Sequence, residues 1–151
     1  MTKFEKYTYW VMLSDYDLQT LPCLIESKRW VYVAYICQQA VERQPKGMYV
    51  FYNDMEAPKT HNVNFLFSKV VSSERFQTAD GYESFLPRRE AIEDFLVDIM
   101  FYYLSDYPFS YKNIMNRFIK KDVALSLYEK TKETVAYLRS LQPEVELPHI
   151  V

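Results

Sequence analysis

The sequence predicts an all-α fold, and its composition and patterning support this class. Only two glycines, Gly47 and Gly81, occur among 151 residues, whereas a sandwich or barrel with many tight turns needs more of them. Several long segments carry apolar residues at three- and four-residue spacing, which is the period of an amphipathic helix. The hydrophobic share of 49% is enough for a core. We expect one domain over residues 1–142 and a loose tail over 143–151.

The first helix is predicted from about Glu5 to Ser27. Residues at three- and four-residue spacing form its stripe: Trp10, Ser14, Leu18, Leu21 and Ile25. Pro22 lies inside this pattern and predicts a kink, because proline lacks a backbone N–H and clashes with the preceding turn. The connection to the next helix is very short, so the two helices are expected to be antiparallel neighbours.

A central helix is predicted from Trp30 to about Met48. Its first half is apolar almost without interruption, and its second half contains residue types that favour helix over strand. A helix that is apolar all round is buried on most faces, so the other helices are expected to pack around it. Pro45 predicts a kink or a restart near Gln44, because an interior proline costs about 3 kcal/mol or more.

Three further helices are predicted. The third begins at a cap, Thr60 or Asn62, and has an apolar face made of Val63, Leu66, Phe67 and Val70. The pattern then weakens from residue 72 to 85, with a turn at Thr78–Gly81. The fourth helix runs from about Pro87 to Ser105, with a stripe made of Ile92, Phe95, Leu96, Ile99 and Tyr103.

The last helix is predicted from Val123 to Leu141, after a mixed stretch over residues 109–121. Asp122 is its expected cap, and Glu129 with Lys132 is expected to be a solvated ion pair. Residues at helical spacing form its stripe: Ala124, Tyr128, Thr131, Val135 and Leu138.

Charge and cysteine content exclude several classes of protein. A net charge of −2 gives no overall attraction to nucleic acid or to an anionic membrane. Cys23 and Cys37 lie in apolar helical contexts without metal-ligand spacing, which predicts buried free thiols in a reducing compartment. No apolar run approaches the ~20 residues that span a bilayer, and no secretory signal is visible. We therefore expect a cytoplasmic protein without cofactor, metal or membrane contact.

A polar cluster begins where the apolar half of the central helix ends. It contains Gln38, Gln39 and Glu42, and the first and last of these are four residues apart and share a face. Buried polar groups need partners. Two interpretations stay open: a satisfied polar layer between helices, or a ligand or subunit surface.

Five stretches follow one another over roughly the whole chain: Asp15–Leu18, Tyr32–Arg43, Pro58–Val63, Tyr102–Pro108 and Ala136–Leu138. In this order and at similar spacing, they resemble the HEPN family (the domain shared by higher eukaryotes and prokaryotes). Tyr32–Arg43 is similar to its central "A-x-x-x-x-Q-x-x-E-K" helix, and Pro58–Val63 is similar to its "K-T-H-N-L" helix start. Tyr102–Pro108 resembles "Y-x-x-A-R-Y-P". Asp15–Leu18 and Ala136–Leu138 resemble parts of its first and closing helices.

This resemblance implies an antiparallel up-and-down bundle of about five helices, usually a homodimer. Members often pair with a minimal nucleotidyltransferase in toxin–antitoxin or related modules, and many are metal-independent ribonucleases. Their site combines an arginine and a histidine in an "R-φ-x-x-x-H" motif across the dimer. Arginine holds the phosphate, and histidine moves a proton during attack by the 2′-hydroxyl.

The chain departs from the family at this motif. Asp106 occupies the arginine position, where a carboxylate repels a phosphate, and no histidine follows within the motif. Arg117–Phe118 leads to Asp122 instead of histidine, and Pro45 stands where relatives carry leucine. No catalytic residue is therefore expected. The favoured hypothesis is a non-catalytic binding and dimerisation module for a nucleotidyltransferase-type partner or a nucleotide- or RNA-like ligand. The alternative is a divergent ribonuclease with a rearranged site, such as Tyr111 with Arg117 or His61.

The candidate binding residues are Gln38, Glu42, Lys46, His61, Tyr111 and Arg117. For His61, a structural role that holds a loop to the bundle is the competing interpretation. A local basic cluster either binds RNA or forms a solvated face; it consists of Lys112, Arg117, Lys120 and Lys121.

Overall fold

The structure, a computed structural model, describes residues 1–102 and 119–146. Seven α-helices lie in this part, and no residue of it is in a strand. The predicted all-α bundle is confirmed. The helices are α1 (Lys3–Glu26), α2 (Trp30–Asn53), α3 (Val63–Val71), α4 (Glu74–Gln77), α5 (Tyr82–Phe85), α6 (Arg89–Ile99) and α7 (Lys121–Ser140), with 3₁₀ turns at Leu86–Arg88 and Met100–Tyr102.

Helix α1 starts with a capping box in which Thr2 and Glu5 satisfy each other's backbone N–H groups. Of the predicted stripe, Ser14 and Leu21 are fully buried, and Leu18 packs at the edge of the core. The helix continues through Pro22. Its first and last residues lie within two positions of the predicted ones. α1 then packs along α2, as expected from the short connection.

Lys28 ends α1 in a left-handed conformation, with φ at 56°. Its N–H donates to the carbonyl of Ile25 at 3.0 Å, and the N–H of Arg29 donates to the carbonyl of Leu24 at 2.9 Å. This is a Schellman termination, in which glycine normally occupies the left-handed position.

We expect Lys28→Gly to raise the free energy of unfolding by about 1 kcal/mol, because it removes the strain of the side chain. Urea denaturation of Lys28→Gly beside Lys28→Ala separates this effect from the loss of charge, and equal stabilities would contradict it.

Helix α2 is the centre of the bundle and packs against α1, α3, α6 and α7, as predicted. It continues without interruption to Asn53, so the predicted restart at Pro45 is wrong. Pro45 is buried, and packing around this part of α2 compensates for the one hydrogen bond that a proline removes. The kinks predicted at Pro22 and Pro45 stay predictions. At Gly47 the two longest helices approach closely, since a Cβ there would lie 3.0 Å from Cβ of Trp10.

Helix α3 begins as predicted. The Asn62 side chain accepts a hydrogen bond from the N–H of Phe65 at 2.9 Å, and the predicted apolar face of α3 is fully buried. Between α3 and α6, where no helix was predicted, the single-turn helices α4 and α5 flank the turn at Thr78–Gly81. A helix of four residues is too short to show a hydrophobic period, so the sequence pattern could not reveal it.

Helix α6 is shorter than predicted. Pro87 lies in the 3₁₀ turn before it, and another 3₁₀ turn follows from Met100 to Tyr102. Ile92, Leu96 and Ile99 of the predicted stripe are buried. The predicted end at Ser105 lies outside the described residues.

Helix α7 begins at Lys121, and its cap position is Lys120. The predicted cap, Asp122, is instead in the first turn, where a carboxylate favours the positive end of the helix dipole. The surface pair of Glu129 and Lys132 is confirmed at 3.0 Å. After α7, the Gln142 amide donates to the Tyr52 hydroxyl at 3.0 Å. The domain boundary after residue 142 stays a prediction.

The two cysteines occupy different environments. Cys37 is buried in α2 as predicted, and burial raises the pKa of its thiol to about 12. Cys23 is exposed, so its predicted burial is wrong. It lies two positions after the buried Leu21, which places the two side chains on different faces of α1.

Candidate functional site

A buried carboxylate lies at the middle of α2. The side chain of Glu42 is only 3% exposed, and it accepts contacts from three surrounding side chains. Gln38 Nε2 donates at 2.7 Å, and Lys46 Nζ lies 2.6 Å from Oε1. His61 Nδ1 lies 3.0 Å from Oε1 and 3.1 Å from Oε2. The structure thus brings four of the candidate residues into contact, and we call Gln38, Glu42, Lys46 and His61 the glutamate cluster.

The sequence explains how α2 builds its part of the cluster. Gln38, Glu42 and Lys46 are spaced by four residues, so they share one face of the helix. A lysine four residues after a glutamate is also the favourable order for an ion pair on a helix.

The residues around His61 hold it at the start of α3. Thr60 Oγ1 accepts from the N–H of Asn62 at 3.0 Å, and the carbonyl of His61 accepts from the N–H of Val63 at 3.0 Å. His61 is therefore fixed between a side-chain turn and the first turn of a helix. This position also gives it a structural role, since it joins α3 to α2.

The carboxylate determines how the His61 ring uses its two nitrogens. A carboxylate accepts hydrogen bonds, so Nδ1 of His61 carries a proton in this contact. In the neutral ring Nε2 is then the proton-accepting nitrogen. The His61 side chain is 50% exposed, whereas Glu42 is shielded from solvent. A buried carboxylate that orients a half-exposed imidazole is an arrangement suited to proton transfer or to binding an anion.

Charge in the cluster depends on His61. Lys46 balances Glu42, so the cluster has no net charge with a neutral ring and one positive charge with a protonated ring. The Lys46 side chain is 13% exposed, and its ammonium group lies 5.5 Å from the centre of the Trp10 ring, which adds a cation–π contact. Gln39 Nε2 donates to Gln38 Oε1 at 3.0 Å and fixes the orientation of that amide.

Three further polar contacts connect α2 with its neighbours. Arg43 Nη1 contacts Asp17 Oδ2 at 2.7 Å. Arg139 on α7 donates to Gln44 Oε1 at 3.3 Å, and Gln44 donates to the Tyr7 hydroxyl at 3.3 Å. Burial raises the pKa of Tyr7 to about 12. One signal in the sequence pointed to these contacts, because polar residues in a helix predicted to be buried need partners. No signal in the sequence pointed to Arg139.

Asp17 gives the stability of the fold a dependence on pH. Burial raises the pKa of its carboxyl from 3.8 to about 6, although the Arg43 guanidinium opposes the rise. The folded state therefore binds this proton more tightly than the unfolded state. The contribution of Asp17 to the free energy of unfolding is largest below about pH 4 and falls by about 3 kcal/mol as the pH rises through 6.

We expect Asp17→Asn to remove this pH-dependent contribution to the free energy of unfolding. Urea denaturation of wild type and variant at pH 4 and pH 7 measures this effect, because the difference in unfolding free energy between the two proteins should change by about 2.5 kcal/mol. Parallel pH profiles for the two proteins would show that Asp17 does not titrate in this range. A carbon NMR titration of the Asp17 carboxyl provides an independent midpoint.

The structure describes only some of the remaining residues that the sequence analysis singled out. Asp106, Tyr111, Lys112 and Arg117 lie outside the described residues. Lys120 and Lys121 are described: Lys120 caps α7 and Lys121 is its first residue, and both are exposed.

An open groove of about 340 Å³ lies between α6 and α7. Its lining mixes apolar side chains with Asp98, Asp122 and Lys130. The described residues contain no group of three histidine, cysteine or carboxylate side chains that could hold a metal ion. No helix within residues 1–102 or 119–146 is long and apolar enough to cross a membrane.

Comparison with known proteins supports the resemblance seen in the sequence. The family model described as the HEPN domain matches residues 7–141, which include the glutamate cluster and every described helix from the second turn of α1 to the end of α7. No curated protein and no solved structure matches the chain. Since the match covers most of the chain, the protein belongs to the HEPN family.

Proposed function

We propose that this protein is a non-catalytic HEPN binding module that recognises a phosphate group of a nucleotide or of RNA at the glutamate cluster. The observation that carries the proposal is the half-exposed His61 ring, which Glu42 orients beside Lys46. Family membership supports a nucleotide- or RNA-related role. The aspartate at position 106 argues against the ribonuclease mechanism of the relatives, because a carboxylate repels phosphate.

The charges of the cluster imply how such a ligand binds. Because Lys46 is already paired with Glu42, the charge on His61 decides whether the cluster attracts an anion. Histidine is the side chain that commonly changes charge between pH 5 and 8. Binding of a phosphate-bearing ligand is therefore expected to be stronger when the His61 ring is protonated than when it is neutral.

Binding of a short single-stranded RNA and of a nucleotide, measured by titration calorimetry at pH 5.5 and pH 8, tests the proposal. We expect His61→Asn to weaken binding at pH 5.5 by about tenfold or more, since a hydrogen bond to a charged group contributes about 1.5–3 kcal/mol. Lys46→Met should weaken binding as well. Lys69→Met is the matched control, because Lys69 also lies over an aromatic ring, 5.4 Å from the centre of Phe65, away from the cluster. If Lys69→Met weakened ligand binding as much as Lys46→Met does, the ligand would be attracted non-specifically by surface charge.

A divergent ribonuclease is the second candidate, and the contact between Glu42 and His61 favours it. A carboxylate on Nδ1 leaves Nε2 in the tautomer of a general base that could deprotonate a 2′-hydroxyl. Incubation of structured and single-stranded RNA with the protein in chelator decides between the two candidates. Cleavage that disappears in His61→Ala would establish this second function. No cleavage by the wild type supports the binding module.

We also propose that the module forms a homodimer and acts with a minimal nucleotidyltransferase-type partner, as in toxin–antitoxin systems, in the cytoplasm. Family membership supports the dimer. We further propose a single domain over residues 1–142 with a C-terminal tail over residues 143–151. Light scattering at working concentration tests the dimer, and a monomer mass would overturn it. A pull-down from native extract that returns no nucleotidyltransferase-like protein would count against the partner.

A further inference from the structure

The segment between α2 and α3 runs back along α2 to His61, and we call its residues 54–60 the strap. It follows Asn53 directly and brings His61 onto Glu42. Glu42 lies about three helical turns, or about 16 Å, before the end of α2. The strap therefore lies beside the bundle instead of projecting from it.

Charged contacts attach the strap to the bundle. The Asp54 carboxylate contacts Lys3 Nζ at 2.9 Å and Arg75 Nη1 at 2.8 Å, and the Glu56 carboxylate contacts Lys6 Nζ. The Asp54 and Glu56 side chains are 61% and 71% exposed. Exposed ion pairs of this kind contribute little stability and weaken as salt increases.

The strap has no apolar anchor. None of its side chains is buried, and Met55 is exposed to solvent, whereas Tyr52 before it and Val63 after it are both in the core. Separation of the strap from the bundle would expose little apolar surface. Segments with few buried apolar contacts open at low cost.

The lysines that contact the strap lie in line with Lys46 of the glutamate cluster. Lys3 and Lys6 lie three residues apart at the start of α1, and Trp10, four residues further on, carries Lys46 over its ring. These lysines form a basic row along the seam of α1 and α2. Every lysine of the row is paired with an acid: Asp54, Glu56 and Glu42.

We propose that the strap is autoinhibitory: Asp54 and Glu56 occupy Lys3 and Lys6, which the phosphates of an RNA ligand bind when the strap is displaced. The inference rests on the proposed function for the class of ligand. Two acidic side chains on a weakly held segment act as an internal competitor for the basic row. Removal of their charge therefore strengthens RNA binding and exposes the lysines.

The test uses the full chain carrying Asp54→Asn and Glu56→Gln together. Asparagine suits position 54, because the φ of Asp54 is 53° and asparagine tolerates the left-handed region. The matched control carries Glu93→Gln and Glu129→Gln, which remove the same charge from two other surface ion pairs, with Arg89 and Lys132. Binding of single-stranded RNA is measured at about 50 mM salt, where phosphate contacts are strong. Acylation rates of Lys3 and Lys6, read by peptide mapping, report the position of the strap without any ligand.

We expect the strap variant to bind RNA about tenfold more tightly than the control variant, and Lys3 and Lys6 to be acylated several times faster. Equal RNA binding by the two variants would overturn the inference, because a general change in net charge would then explain any gain. If neither variant nor wild type binds RNA, the proposed function fails. The acylation rates of Lys3 and Lys6 alone then test whether the strap covers these lysines. Equal acylation of Lys3 and Lys6 in the two variants would then overturn it.

Discussion

Glu42→Ala is expected to lower the free energy of unfolding by about 3–5 kcal/mol, because it leaves the ammonium group of Lys46 in a poorly solvated site without its counter-ion. Gln38 and His61 lose an acceptor at the same time. Urea denaturation at neutral pH measures the loss. Glu93→Ala is the matched control: it removes a glutamate from another pair with four-residue spacing, and a surface pair of this kind contributes at most about 1 kcal/mol.

Removal of the lysine together with the glutamate tests this explanation. We expect the double variant Glu42→Ala, Lys46→Met to regain part of the stability, because no unpaired charge then remains near the core. A double variant as unstable as the sum of the two single variants would show that the pair is not coupled. Because the cluster also joins α3 to α2 through His61, the loss of stability and the loss of ligand binding must be measured separately.

Phe76→Ala is expected to destabilise the protein by about 3–5 kcal/mol, which is typical for a fully buried aromatic residue. Phe76 makes edge-to-face contacts with Tyr52, Tyr82 and Phe85 at centroid distances of 5.3, 5.7 and 5.3 Å. These contacts fix α4 and α5 against the end of α2. Thermal and urea denaturation measure the effect.

Phe101→Ala provides the comparison for this prediction. Phe101 is largely exposed, and truncation there is expected to change stability by about 0.5 kcal/mol or less. Similar losses in the two variants would contradict the structural role of the aromatic contacts. A small loss in Phe76→Ala would mean that residues 72–85 are not part of the cooperative core.

The polar groups of α2 show how far sequence reasoning reached toward the site. Four-residue spacing placed Gln38 and Glu42 on one face, and the burial expected for the helix required partners for them. Lys46 continues that face. His61 was known only as part of a family motif, because it is nineteen residues from Glu42 and no periodicity relates residues in different elements. Arg139 and Gln44, which are 95 residues apart, meet for the same reason.

Local rules misjudged positions where packing outweighs propensity. Pro45 has a low helix propensity, yet α2 continues through it because burial on several sides offsets one lost hydrogen bond. Asp122 is a good cap residue, but α7 begins at Lys121, two residues before the predicted start, directly after Ile119 has entered the core. Cys23 is apolar in character, but its exposure follows from the direction in which α1 faces the core, and spacing defined that direction only approximately.

The sequence by itself determined the helical class, the central position of α2, the apolar faces of α3 and α6, and the family, because these follow from periodicity and from motifs within single segments. Only the tertiary structure decided which polar groups meet. It placed His61 on Glu42, Arg43 on Asp17, and the acids of the strap on the lysines of α1. Such contacts depend on the approach of elements distant in sequence, and their geometry is set by packing of the whole core.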